Sequence, residues 1–259
     1  MILKENNFYK IFYFLIFIFC AKEIFWAFNY IGPASFFQPN GILSIIPIQY
    51  LEFIQLMSIT RWLVLLNALV LIFVNSKSKS GFYLHCLLMV LMTVGIAFRF
   101  SFSHYAQLEL LPLLAMFGFL FRESIVNKIE IGVKATSLVY FFSGVAKIRY
   151  GHWSWLDGET IQQIFSYSAR MRPTIFPAEI MLSLPVWFWT TMGALTLLFE
   201  ILFPLIIYIR SANRIFFISI LLFHLSIALV IGIYSTSLLL IIFLYFARGY
   251  VVFQLPTKA

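Results

Sequence analysis

The sequence predicts an all-α protein: a polytopic membrane helix bundle of about eight transmembrane helices, with a short interfacial helix in the 149–185 outer loop. Three observations carry this. The 259 residues are 62% hydrophobic and 11% charged, with mean hydropathy +0.96, whereas a soluble domain is about half apolar and about a quarter charged. The apolar residues gather into runs of roughly the 17–25 residues that cross a hydrocarbon layer. The Lys and Arg residues fall unevenly between alternate connections, the pattern that sets orientation.

The runs cover 8–29, 54–74, 82–100, 105–121, 132–148, 186–209, 215–233 and 236–253. The first follows a basic N-terminus, as in a signal peptide. It has no small-x-small cleavage site, and Phe17-Ile18-Phe19 before Cys20 is too bulky for a lipoprotein-type site. An uncleaved first span is therefore expected. The third and fourth runs are closely spaced, and so are the seventh and eighth. The long non-spanning segments are 30–53 and 149–185, so one transmembrane domain over 1–259 is expected, with no soluble domain.

With the N-terminus inside, the cytoplasmic segments collect most of the 18 Lys and Arg, among them Lys77, Lys79, Arg122, Lys128, Arg210 and Arg214. That bias predicts cytoplasmic N and C termini and an even number of spans. It also places 149–185 outside. This loop opens with His152, Trp153 and Trp155, an interfacial aromatic cluster. Asp157 is the expected cap of a helix over Thr160–Ser168, whose Ile161, Ile164 and Phe165 recur at spacings of three and four. Pro173 ends it.

The net charge of +8 fits contact with anionic lipid. The expected partner is the bilayer rather than nucleic acid, because no basic run is long enough to form a patch. Cys20 and Cys86 lie in apolar runs and read as small buried residues, not as a disulfide framework or a metal site.

Ionisable residues inside apolar runs are costly and tend to mark function. Lys147 closes the fifth run, with Ser143 and Gly144 on its helical face. A lysine at the hydrocarbon edge loses hydration and becomes a candidate base; snorkelling to the interface is the alternative. Glu200 lies mid-run, and Pro204 leaves its carbonyl without a helical donor. A polar role toward a ligand competes with a structural pair to an arginine or histidine. His224 lies mid-run in LLFHLSIAL, either catalytic or structurally hydrogen-bonded. His104 opens the fourth run, and Glu109 follows one turn deeper, near Pro112. Glu109 is a ligand contact or a partner of Arg99. His85 carries less functional weight. Neither GxSxG, a Walker loop, HExxH nor CxxC occurs.

The stretch YFFSGVAKI followed by WLDG resembles the transmembrane domain of vitamin K-dependent gamma-carboxylases and their bacterial relatives, the horizontally transferred transmembrane (HTTM) proteins. The matching positions are Tyr140, Ser143, Gly144, Lys147, Trp155 and Gly158. Further matches are Glu200 with Pro204, the pair Phe223-His224, and His104, together covering roughly 95–245. The resemblance implies an enzyme of the lyase type that uses a quinol, vitamin K hydroquinone or menaquinol, at the outer leaflet. Lys147 would be its base and His104 and His224 its polar catalytic partners. Glu200, Tyr140, Ser143, Trp155 and Glu109 would contact the substrate or quinol. It also implies a multi-pass protein of a bacterial plasma membrane. Small bacterial relatives include a protein of the sporulation-delaying system, associated with production of a secreted toxin. The second expectation is therefore a non-enzymatic or processing partner for an exported peptide. A small-molecule transporter is a third, against which the sequence shows no internal repeat. Two departures stand out. Ala146 replaces a lysine of the animal enzymes, and only a few residues follow the last run, where the carboxylases continue into a large lumenal domain. Without that domain a peptide glutamate is not the expected substrate.

Overall fold

A computed structural model describes residues 2–29, 50–75, 77–100, 107–121, 123–171, 178–207, 213–231 and 237–254. Helices occupy every apolar run: α1 (Glu5–Asn29), α2 (Tyr50–Phe73), α3 (Lys79–Phe100), α4 (Gln107–Phe117), α5 (Ile125–Gly151), α8 (Val186–Ile207), α9 (Asn213–Ile231) and α10 (Ser237–Tyr250). The segment after α5 carries a 3-10 turn, His152–Trp155, then α6 (Glu159–Met171) and α7 (Ala178–Ser183). Among the described residues, four helical stretches are long and apolar enough to cross a membrane: Gln55–Phe73, Lys79–Ile96, Ile125–Gly151 and Val186–Pro204. Leu110–Leu120, Phe217–Ser226 and Leu238–Tyr250 are apolar but shorter.

One element departs from the all-α expectation. β1 (Ile2–Lys4) pairs in parallel with β2 (Val252–Gln254), Leu3 opposite Phe253. Three residues are too few to leave an alternating pattern in the sequence.

The chain divides into two compact units, residues 1–132 with 235–259, and residues 133–234. In the first, α1 packs on α2 and α10, and α2 packs on α3. Its core follows the buried face of α1, where Phe8, Phe12 and Ile16 recur at spacing four and are fully enclosed. Phe12 lies 4.6 Å from Phe119 and Phe8 lies 5.1 Å from Phe243, centroid to centroid. Small residues bring backbones together here: a Cβ on Gly132 would come within 2.8 Å of the Ala115 carbonyl oxygen. The Arg248 guanidinium grips Glu130 with two parallel bonds, 2.7 and 2.9 Å.

The second unit holds α5 from Val133 onward and α6 to α9. The expected loop helix exists as α6 and begins as its sequence requires. The Asp157 carboxylate accepts from the Thr160 N–H (2.8 Å) and from its hydroxyl (2.8 Å). Gly158, at φ +75°, makes the turn before it. Ile161 and Phe165 pack against Trp189, with Met181 and Leu184. The apolar side of α6 is therefore turned toward α7 and α8. Ile164, expected on that side, is 40% exposed instead. The Gln162 amide donates to the carbonyls of Leu182 (3.0 Å) and Leu184 (3.1 Å), satisfying acceptors that the end of α7 leaves open.

Candidate functional site

Tyr140, Ser143, Gly144 and Lys147 recur at spacings of three and four and so share one face of α5. The matching face of α8 carries Phe199, Glu200 and Phe203, and α9 contributes Phe223 and His224. Gly144 permits the approach. A Cβ there would sit 3.1 Å from Glu200 Cβ and 3.0 Å from Ile201 Cγ1. With only hydrogen at Gly144, α8 comes close enough for the Glu200 carboxylate to reach Lys147.

The result is a closed polar knot. Lys147 Nζ donates to both carboxylate oxygens of Glu200, at 2.6 and 2.7 Å, and to Ser143 Oγ at 2.8 Å. These three bonds use all three ammonium donors. The Ser143 hydroxyl donates onward to Glu200 Oε1 at 3.2 Å. The Glu200 side chain is 7% exposed and that of Lys147 19%. Such a pair is retained only with good geometry and satisfied lone pairs, because taking two charges out of water is expensive. Pro204, within α8, withholds the backbone donor that would otherwise serve the Glu200 carbonyl.

Two turns of α5 from Lys147, about 10 Å along the axis, lies a second polar contact. The Tyr140 hydroxyl is 2.6 Å from His224 Nε2, and both side chains are buried. Aromatic rings surround it: Tyr140 to Phe203 at 4.7 Å and Phe199 stacked on Phe223 at 4.5 Å.

Trp155 covers the other side of the lysine, its ring centroid 5.1 Å from Lys147 Nζ. Two glycines seat it. A Cβ on Gly151 would come within 2.5 Å of Trp155 Cδ1, and one on Gly193 would collide with the Trp155 carbonyl oxygen. The 152–158 turn is thereby pressed onto α8.

Of the sequence-derived candidates, the structure brings together Lys147, Glu200, Ser143 and Trp155, and pairs Tyr140 with His224. His104 lies outside the described residues. Glu109 is on α4 in the first unit, and its side chain lies outside the described ones. Sequence reading identified Lys147 and Glu200 separately and missed that they are partners. His85, which carried less functional weight in the sequence, is buried. His85 Nδ1 accepts from the Tyr13 hydroxyl (2.8 Å), while Nε2 donates to the Met116 carbonyl (3.2 Å). Asn67 was missed too: it is 6% exposed on α2, and both its amide heteroatoms lack a partner among the described residues. No group of three His, Cys, Asp or Glu side chains suited to a metal ion occurs among the described residues.

Compared with protein-family models, curated proteins and solved structures, the chain matches none.

Proposed function

We propose that the chain is an integral membrane enzyme in which Lys147 is the base and Glu200 its proton partner, acting on a weakly acidic, lipid-soluble substrate. The observation that carries this is the Lys147–Glu200–Ser143 knot, an amine and a carboxyl in direct contact inside an apolar bundle. In low dielectric a proton can pass from the ammonium to the carboxylate, leaving both groups neutral. The freed amine then takes the proton of a quinol hydroxyl, giving ammonium, carboxylic acid and quinolate. A quinol of the vitamin K or menaquinol kind is the substrate class that the resemblance of YFFSGVAKI–WLDG to the gamma-carboxylase and HTTM transmembrane domain supports. Tyr140 and His224 form a polar step deeper in the same unit, suited to the far oxygen of such a ring.

The same reading has α1 to α5 and α8 to α10 as eight spans in a bacterial plasma membrane, with cytoplasmic termini and α6 at the outer interface. The charge asymmetry of the connections supports this.

The test is oxidation of the quinol by the purified protein in aerated solution, with dioxygen as the electron acceptor that the quinolate reduces. Lys147→Arg keeps the charge but stays protonated, so the base role expects both Lys147→Arg and Lys147→Ala to lose turnover. Wild-type rates in Lys147→Arg would reject it.

A second reading, a non-enzymatic partner for an exported peptide, is favoured by the saturation of all three lysine donors and by the exposed Ile164 and Tyr167 on α6. It expects no quinol turnover in the wild type, and loss of peptide export when both α6 residues become Ser.

A further inference from the structure

The first unit contains an open-sided polar cavity where α1 begins and α2 ends. It holds about 420 Å³, within the roughly 300–1,000 Å³ of small-ligand sites. Glu5, Asn6 and Lys10 line it from α1, Phe73 from α2, and Val74, Asn75 and Lys77 from the segment that follows. One edge is held in place. Lys77 Nζ lies 2.7 Å from Glu5 Oε2, and the Lys77 backbone N–H donates to Asn75 Oδ1 at 3.0 Å. A carboxylate has about four acceptor sites, so Glu5 can take a ligand's proton donor while it holds Lys77. Asn6 and Lys10 stand one turn apart, and neither side chain has a protein partner among the described residues. A carboxylate acceptor and an ammonium donor therefore line one space.

Both helices turn apolar on the faces that lead away from it. Asn6, Lys10 and Phe14 recur at spacing four along α1, and Phe14 is 50% exposed. Val70, Phe73, Val74 and Lys77 recur at spacings of three and four, with Val70 37% and Phe73 79% exposed. Val70 and Phe73 belong to Gln55–Phe73, a stretch long and apolar enough to span, and α1 packs on α2. The order along α1 is specific. Glu5 stands at the helix start, Lys10 about 7.5 Å deeper and Phe14 about 6 Å deeper again. Acceptor, cation and exposed apolar ring thus follow one another in the order ammonium, phosphate and acyl chain of an ethanolamine phospholipid. A choline head has no N–H to give Glu5, and a glycerol head has no cation for it.

We infer that this cavity binds phosphatidylethanolamine, with the ammonium on Glu5, the phosphate on Lys10 and Asn6, and an acyl chain along Phe14, Val70 and Phe73. The inference rests on the reading of α1 and α2 as spans and is independent of the Lys147 chemistry.

The test places the protein in phosphatidylcholine nanodiscs doped with one of three acyl-diazirine probes: phosphatidylethanolamine, phosphatidylglycerol or phosphatidylcholine. After irradiation, labelled positions are mapped by mass spectrometry. The expected result is labelling of Phe14, Val70 and Phe73 several-fold higher with the ethanolamine probe than with either other, while the exposed Leu195 and Leu198 of α8 show no preference. Lys10→Gln, at an exposed position, should remove the excess over phosphatidylcholine. Soluble phosphoethanolamine at the probe's concentration should leave the pattern unchanged; loss of the excess would assign the cavity to a free headgroup and overturn the lipid. Equal labelling by phosphatidylglycerol also overturns the inference, because a lysine that only snorkels to anionic headgroups behaves that way. So does equal labelling by phosphatidylcholine, or an unchanged excess in Lys10→Gln. Absence of label at Leu195 and Leu198 with every probe would reject the spanning reading itself, and the inference with it. The headgroup comparison uses the wild-type protein alone, so it decides the matter even if the variant fails to fold.

Discussion

Lys147 Nζ lies 2.6 and 2.7 Å from the two carboxylate oxygens of Glu200, across 53 residues of sequence. The pair fastens α5 to α8, and each residue is the main reason the other tolerates burial. Removing one partner strands a buried charge, at a cost of about 3–5 kcal/mol. Removing both with apolar replacements is close to neutral. Lys147→Met and Glu200→Leu should each lower the unfolding midpoint, and the double variant should recover most of it. Thermal unfolding in detergent, read by size-exclusion chromatography, checks this. Under the proposed base role the double variant should still lack quinol turnover, which separates holding the helices from the proposed chemistry.

Gly144 should be intolerant of even a methyl group. Its Cβ would meet Glu200 Cβ at 3.1 Å, and overpacking of this kind costs about 1–3 kcal/mol. Gly144→Ala is expected to be less stable than wild type even though alanine favours helix. A midpoint equal to or above wild type would show that α5 and α8 adjust freely.

Tyr140→Phe should expose the dependence of His224 on its partner. The change keeps the ring and deletes the hydroxyl 2.6 Å from Nε2. Leaving a buried group unsatisfied costs about 1–3 kcal/mol. Tyr140→Phe with His224→Leu should be more stable than Tyr140→Phe alone. Additive losses in the two single variants would mean the contact contributes nothing.

Topology can be read by cysteine labelling. With Cys20 and Cys86 replaced by Ala, a cysteine at the exposed Glu159 should react with an impermeant thiol reagent in intact cells. One at the exposed Lys79 should react only after lysis. The opposite pattern would invert the orientation.

Much of the helical layout was legible because it depends on local composition. The apolar runs set α1 to α5 and α8 to α10, and Asp157 announced the start of α6 through a contact three residues away. The site was legible only in pieces. Lys147 and Glu200 each violate the apolar rule of their run, so each could be singled out. Their pairing depends on the hydrogen side chain of Gly144, whose effect spans two helices and leaves no periodic trace. Ile164 shows the same limit. Spacing put it on the apolar side of α6, but the contacts of that side with Trp189 and Met181 are made by Ile161 and Phe165, and Ile164 stays exposed. The parallel strand pair was invisible for a related reason, since its partners come from distant parts of the sequence.

That strand pair has a consequence for biogenesis. Leu3 finds Phe253 only after nearly every intervening residue has been made, and α10 is likewise the last helix to join its unit. The first unit is thus begun before the second is made and completed after it. The second, continuous from Val133 to Tyr234, has all its parts beforehand. Domains made early usually fold first. Here the earlier-made α1 must wait, with the part of its buried face that meets α10, around Phe8 and Phe243, uncovered until α10 arrives, and the supply of a chaperone or insertase that shields it during that interval would limit the yield of the protein.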